Sequence, residues 1–413
     1  MIAKPELLAP AGSFETLHAA FSHGADAVYL GMGTLNLRAY SENFSIDDLP
    51  DIVSIADEYN GKIYLVLNTM PNDDQIEEVR TFLHQLNESK VKPNALIVSD
   101  PGVIRLCGAI VPEMELHLST QTGTFSRESL KFWRDFGVTR VVLPREFTLE
   151  QIEQSVKSDI CEIEIFVHGA MCVSVSGRCL MGAYMTGRHP NHGECSQPCR
   201  LKYDIVVKDS TGSVMPDKGF SIEEEDGKSY IFNSKDLNTL EMIPELIRAG
   251  VHSLKIEGRN KSVHYVSAVV KSYRAAIDTF FEDQNRTLPK EYIDELEMLD
   301  HRPYTTGFIG GDDKMQSTSY AKEKSQIRVV GVVKETLKDG VAVIDVKNPF
   351  TINEPLTILP VNRKIDPYTV EFTSIEDLDG HAKERAITNR VVCCKSSGDI
   401  KLKIGDMVRR VIR

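Results

Sequence analysis

The stretch HGAMCVSVSGRCLMGAYMTGRHPNHGECSQPCR, residues 168–200, holds four of the chain's eight cysteines: Cys172, Cys179, Cys195 and Cys199. Four thiols in one loop with glycines, histidines and arginines suit a metal. Both zinc and iron–sulfur clusters take four thiolates from such loops. Structural zinc sites usually show two short pairs of the C-x2-4-C kind. Here the first pair is C-x6-C, too wide for a zinc knuckle, and only Cys195 and Cys199 resemble such a pair. A cluster of several irons tolerates the wider spacing. Zinc stays open as the alternative metal, and unliganded thiols as the bland one. Cys107, Cys161, Cys393 and Cys394 lie in apolar helix or strand patterns and read as core residues.

A second set of polar residues falls where short apolar runs end. Arg145, Glu146, His168, Lys255 and Glu257 are the expected catalytic groups, and Asn68, His117, Asn233, Lys235 and Arg259 the expected substrate-binding groups. Charges inside strands are costly unless paired. Lys255 and Glu257 alternate on one side of a strand and so point the same way. Arg145 and Arg259 suit bidentate grip of carboxylates. The plain alternative is a salt-bridged filling of the fold. Asp236 reads as an Asx-turn and N-cap opening the next helix.

Hydrolytic chemistry finds less support. A serine protease needs nucleophile, base and oxyanion hole, and no G-x-S-x-G is present. Neither is H-E-x-x-H. His189, His192 and Glu194 form a compact trio for a metal-dependent peptidase, and a loop cysteine could pair with His168, but both readings leave loop thiols unexplained.

The elements that must position these residues follow from periodicity. Eight short β-rich runs begin at ELLAP (6–10) and continue through AVYLG (27–31), KIYLVLN (62–68), ALIVSD (95–100), ELHLST (115–120), RVVLPRE (140–146), EIEIFVHG (162–169) and SLKIEGR (253–259). Helical patterns alternate with them, which predicts parallel strands joined by crossover helices. Eight units predict a (β/α)8 TIM-barrel-like domain over residues 1–280, in preference to an open doubly wound sheet. No G-x-G-x-x-G follows the first strand. The seventh unit carries an insertion, 170–236, with the cysteine loop and expected strands KYDIVVKD and SYIFNSKD. Barrel active sites lie at the C-terminal ends of the strands, so the insertion belongs on that face. Residues 281–326 read as a helical and polar linker. Period-two alternation with turns predicts a C-terminal antiparallel β-barrel over 327–413.

Composition bounds the class. The 413 residues carry a net charge of −12, which argues against indiscriminate nucleic-acid binding. Residues 328–413 hold 15 Lys+Arg against 12 Asp+Glu, a locally basic tail. No run approaches the roughly 20 apolar residues of a membrane helix, and the start does not look like a signal peptide. The expectation is a cytoplasmic protein with reduced thiols and no membrane partner.

Glu164-Ile-Phe166-Val-His168-Gly169-Ala170-Met171-Cys172, then four residues, then Gly177-Arg178-Cys179, closely resembles the signature of peptidase family U32. That pattern ends with serine where this chain has Gly182. The resemblance extends over most of the chain, through ELLAPAG, NSKDL (233–237), SLKIEGR and the C-terminal β module. The family name implies proteolysis, collagenase-like in some members. Its better-understood members are iron–sulfur proteins of oxygen-independent hydroxylation, acting on ribosomal RNA, the ubiquinone ring or the wobble uridine of tRNA. This chain resembles the tRNA type. The resemblance therefore implies conversion of uridine to 5-hydroxyuridine, a 4Fe–4S cluster on Cys172, Cys179, Cys195 and Cys199, tRNA as partner, and a small anionic co-substrate such as prephenate. A paralogous partner subunit is a further expectation. In some relatives the fourth ligand is a later cysteine near NSKDL; here Asn238 stands there and Cys199 is the candidate. The rivals are a metal-assisted peptidase and a zinc-stabilised RNA-binding scaffold.

Overall fold

A computed structural model of the chain describes residues 2–33, 35–37, 43–201, 224–225, 228–229, 233–311, 324–337, 340–361, 365, 369–397 and 402–412. Eight parallel strands close into a ring: β1 (Glu6–Pro10), β2 (Ala27–Gly31), β3 (Lys62–Leu67), β4 (Ala95–Val98), β5 (Glu115–Leu118), β6 (Val138–Val142), β7 (Glu162–Ala170) and β8 (Ser253–Ile256). Each pairs in parallel with its neighbour in sequence, and β8 closes the barrel against both β7 and β1. This is the (β/α)8 architecture the alternating pattern predicts. All eight expected runs are strands; only β6 is displaced, starting two residues early and ending at Val142.

The crossover helices start where the local chemistry allows. Asn72 caps Asp73–Glu88, its side chain accepting from Gln75 while Gln75 answers to the Asn72 backbone. Asp100 caps Pro101–Ile110, with proline at the first helical position where no N–H is missed. The outer faces of the strands and the helices bury one continuous apolar core. A smaller cluster, Leu8, Ala27, Tyr29, Tyr64, Val66, Ala95 and Ile97, fills one side of the lumen. The other side is charged: Arg140 of β6 reaches Glu6 and Glu164, and Lys255 of β8 donates to Glu164 at 2.8 Å.

The insertion after β7 does not simply leave the barrel. Asp236–Asn238 returns as a short strand antiparallel to the end of β7, pairing Asp236 with Ala170 and Asn238 with His168. Asp236 is therefore not the helix cap that its position before LNTL suggests. The next helical turn opens only at Leu240, and the carboxylate instead takes Arg302 in a two-nitrogen grip at 2.9 and 2.7 Å. The expected strand KYDIVVKD and residues 230–232 of SYIFNSKD lie outside the described residues.

The segment read as a linker is packed structure in its described part. Its helix Lys290–Glu297 and the following turn bury Tyr292, Leu296, Leu299 and Ile309. From Ile327 onward the chain forms an eight-stranded antiparallel sheet with β9 (Ile327–Thr336) and β10 (Val341–Val346) at its centre. It curls as a half-barrel over its own core of Val330, Ile344, Phe350, Leu356, Phe372 and Val392. Leu359 and Met407 join the barrel's core, so the second domain is docked on the first.

Candidate active site

The cysteine loop lies across the C-terminal mouth of the barrel, and three barrel loops pin it there. The loop after β6 supplies Glu146, whose carboxylate accepts the Ser176 backbone N–H at 2.8 Å. That bond holds Ser176 at a φ of +50°, an uncommon backbone for a side-chain-bearing residue. The loop after β5 supplies the Gln121 carbonyl, which accepts from Arg178 Nε. The loop after β3 supplies the Met70 N–H, which donates to the Asn191 carbonyl at 3.1 Å. The Asn191 side chain in turn brackets Cys179, accepting its N–H at 3.3 Å and donating to its carbonyl at 3.2 Å. Gly182 packs so closely on Pro190 that a Cβ there would lie 2.7 Å from the ring. The family's serine would need that proline moved.

Beneath the loop is a cleft of about 160 Å³. All four loop cysteines line it, together with Asn68, Arg145, Lys255, Glu257, Arg259 and Arg200. Burial pushes the Cys199 thiol up, and the neighbouring sulfurs of Cys172 and Cys195 add to that shift. Among the described residues no three of the four sulfurs fall within 4.8 Å of one another. One zinc ion, bonding sulfur at about 2.3 Å in a tetrahedron, would draw them to roughly 3.8 Å apart. The donor set, four thiols lining one cleft, suits a thiolate-held metal centre. The remaining cysteines are of another kind: burial pushes Cys107 and Cys394 up to about 12, where they are inert thiols.

The cationic groups of the cleft are held from below. Lys255 Nζ sits 4.6 Å from the Tyr29 ring centroid and pairs with Glu164, which is fully buried. Burial alone would raise the Glu164 carboxyl, but Lys255 and Arg140 outweigh it and hold it below the usual carboxylate range. Arg145 places its guanidinium 3.9 Å from the centroid of the Phe166 ring. Arg259 donates to Asn36 Oδ1 at 2.7 Å, over Gly31, where a Cβ would lie 2.2 Å from the guanidinium. Gly169, at a φ of +109°, lets the chain pass the Glu257 carbonyl, which a Cβ would meet at 2.7 Å. Four of the expected site residues therefore converge as cations and an acid: Arg145, Lys255, Arg259 and Glu257. Asn68 joins them, donating to Ser119 at 3.5 Å.

Others do not converge. The register of β7 and β8 slips at Lys255/Ile256, so that His168 pairs with Ile256 and turns outward. It is packed among Tyr265, Tyr273 and Tyr304, and burial pushes it down to about 3. The structure corrects its expected catalytic role: a neutral imidazole outside the lumen has no reach into the cleft. His117 fills the lumen floor against Tyr64, its ring edge-on at 4.7 Å, and burial lowers it too. Glu146 anchors the loop through Ser176, as above, instead of facing the cleft. Asn233 accepts from Arg302 at 3.2 Å beside Asp236 and stands apart from the cleft lining, as does the half-buried Lys235.

The peptidase constellations are also absent as working geometry among the described residues. His189 and His192 have ring centroids 5.2 Å apart, but Glu194 is turned onto the His189 backbone N–H and no three-ligand group forms there. The three-ligand group that does close, Asp377, Asp379 and His381, lies on a turn of the second domain, and Asp377 already pairs with Lys383 at 3.0 Å. Sequence reasoning missed Asn36, Asn191 and Gln121. Each is an ordinary amide in a loop, with no spacing signal to mark it.

Comparison with known proteins places this geometry in context. A model of peptidase family U32 matches residues 12–319. A Bacillus subtilis protein, tRNA hydroxylation protein P1, is 35% identical over 98% of this chain and 95% of its own. The Escherichia coli tRNA hydroxylation protein P is 35% identical over 92% of this chain and 90% of its own. A Porphyromonas gingivalis protein named collagenase is 34% identical over 74% and 73%.

Proposed function

The chain belongs to peptidase family U32, and from that premise we propose that it is an RNA-modifying enzyme hydroxylating a tRNA uridine at C5 without dioxygen. The observation that carries the reading is the convergence of Cys172, Cys179, Cys195 and Cys199 with Arg145, Lys255 and Arg259 on one cleft at the barrel mouth. The names of the B. subtilis and E. coli relatives supply the RNA substrate class.

In this reading the four thiolates hold a 4Fe–4S cluster. Held there, it would supply one-electron transfer; replacing C–H by C–OH is a two-electron oxidation of the ring, whose oxygen and electron acceptor must come from a co-substrate. The chain's own residues do the rest. Arg145, Lys255 and Arg259 present fixed positive charge to a small dicarboxylate such as prephenate, and their ion pairs and ring contacts keep them in place without reorganisation. The cysteine loop roofs the cleft and limits water. The loop also meets RNA. Residues 171–201 carry three arginines and one glutamate in a chain of net charge −12. Leu180, Val175 and Tyr184 stand 72, 62 and 94% exposed there. Apolar and aromatic faces beside arginines are what unpaired bases stack on. The second domain, basic overall, adds a phosphate-facing surface. Among the described residues no helix is long and apolar enough to cross a membrane.

The test is nucleoside analysis of tRNA from a strain lacking this chain and any paralogue. Loss of 5-hydroxyuridine derivatives, restored by the wild-type chain, supports the reading; unchanged levels reject it. The peptidase alternative has no specific observation in its favour beyond the name of a relative.

A further inference from the structure

Gln121 sits in the turn after β5, 2% exposed and lining the cleft directly under the cysteine loop. Its backbone carbonyl is taken by Arg178, yet among the described residues neither Nε2 nor Oε1 of its side chain has a hydrogen-bond partner. The residue above it is Gly177, where a Cβ would lie 3.8 Å from Gln121 Cγ. A second buried orphan, Ser174 Oγ, lines the same cleft. Buried polar groups without partners are rare and costly, and at a cleft they mark what a ligand must supply.

The amide's two ends decide which ligand. A carboxylate only accepts, so it satisfies Nε2 and leaves Oε1 orphaned. Thiolate or sulfide sulfur fails for the same reason. A donor and an acceptor side by side on a rigid edge, as on the imide of a pyrimidine, satisfy both ends at once. Phe166 and Tyr29 line the same cleft, so its wall is partly aromatic. We propose that Gln121 binds the Watson–Crick edge of the target pyrimidine, pairing its carbonyl with the ring N–H and its amide N–H with a ring carbonyl. The inference rests on the RNA reading above and names the residue that seats the base.

The probes are uridine 5′-monophosphate and its N3-methyl derivative, titrated into anaerobically purified full-length protein. Wild type is expected to bind the methylated probe roughly 5- to 150-fold more weakly, the loss from one unpaired buried group. Gln121→Leu should bind both equally while keeping its visible spectrum and at least wild-type stability, since an orphaned amide is removed. Gln121→Glu keeps the acceptor, so it should bind uridylate more weakly yet still discriminate. A wild type that binds neither probe or both equally overturns the proposal, as does a Gln121→Leu chain that still discriminates. If discrimination holds while cellular 5-hydroxyuridine does not depend on this chain, the hydroxylation reading fails and the base site stands. If tRNA hydroxylation proceeds in Gln121→Leu with wild-type kcat and KM, the base site alone fails.

Discussion

Lys255 Nζ donates to Glu164 Oε1 across 2.8 Å in the barrel lumen, and Glu164 has no solvent exposure at all. A carboxylate so placed depends on its cations. Lys255→Met leaves Glu164 with Arg140 alone, at 3.5 Å, and should cost about 3–5 kcal/mol in urea unfolding. The double variant Lys255→Met with Glu164→Gln should recover most of that loss without recovering tRNA hydroxylation, because the cleft still lacks its ammonium. A single variant as stable as wild type would show that the pair is not an ion pair.

The thiols divide into two groups by environment. Serine at Cys172, Cys179, Cys195 or Cys199 should remove most iron and visible absorption from anaerobically purified protein. Alanine at Cys161, buried outside the cleft, should leave both unchanged. Iron content insensitive to the loop substitutions would reject the cluster, and stoichiometric zinc in a colourless wild type would replace it.

Much of this site could be read before any coordinates, and the reasons are physical. Parallel strands buried on both faces write long apolar runs, so all eight barrel strands showed in the sequence. Barrel geometry then places Arg145, Lys255 and Arg259 on one face. His168 was misjudged because a one-residue slip against β8 reverses which way a side chain points, and nothing in EIEIFVHG announces the slip. Asp236 was misjudged because its partner, Arg302, is 66 residues away. Gln121 and Asn191 act through backbone and cleft contacts that no spacing rule encodes.

Tyr184 is the most exposed of the large apolar side chains on the cysteine loop. If bases flanking the target stack on it, Tyr184→Ala should weaken binding of a tRNA anticodon stem-loop by roughly 5- to 150-fold, since stacking of one base is worth about 1–3 kcal/mol. Tyr184→Phe keeps the ring and should bind as wild type. The salt dependence should not change, because no phosphate contact is lost. Equal affinity of the alanine variant in filter binding would remove Tyr184 from the interface.

Buried histidines make stability depend on mild acid. His23, His168 and His264 are each held down to about 3, mainly by burial, with Lys271 acting further on His23 and Arg409 on His264. In the unfolded chain they titrate near 6.5. The unfolded state therefore binds more protons between about pH 3 and 6.5, and linkage makes stability fall as pH drops through that window. The full contribution is present above pH 6.5. Each histidine should cost about 2 kcal/mol between pH 7 and pH 5, well before most carboxylates are protonated. Urea unfolding at pH 7, 6 and 5 measures the slope. His264→Gln keeps a side-chain group for Arg409, which contacts the imidazole at 3.2 Å, and should remove about 2 kcal/mol of the loss between pH 7 and pH 5. A stability that stays level from pH 7 to 5 would mean that these imidazoles reach solvent and take up protons in the folded chain.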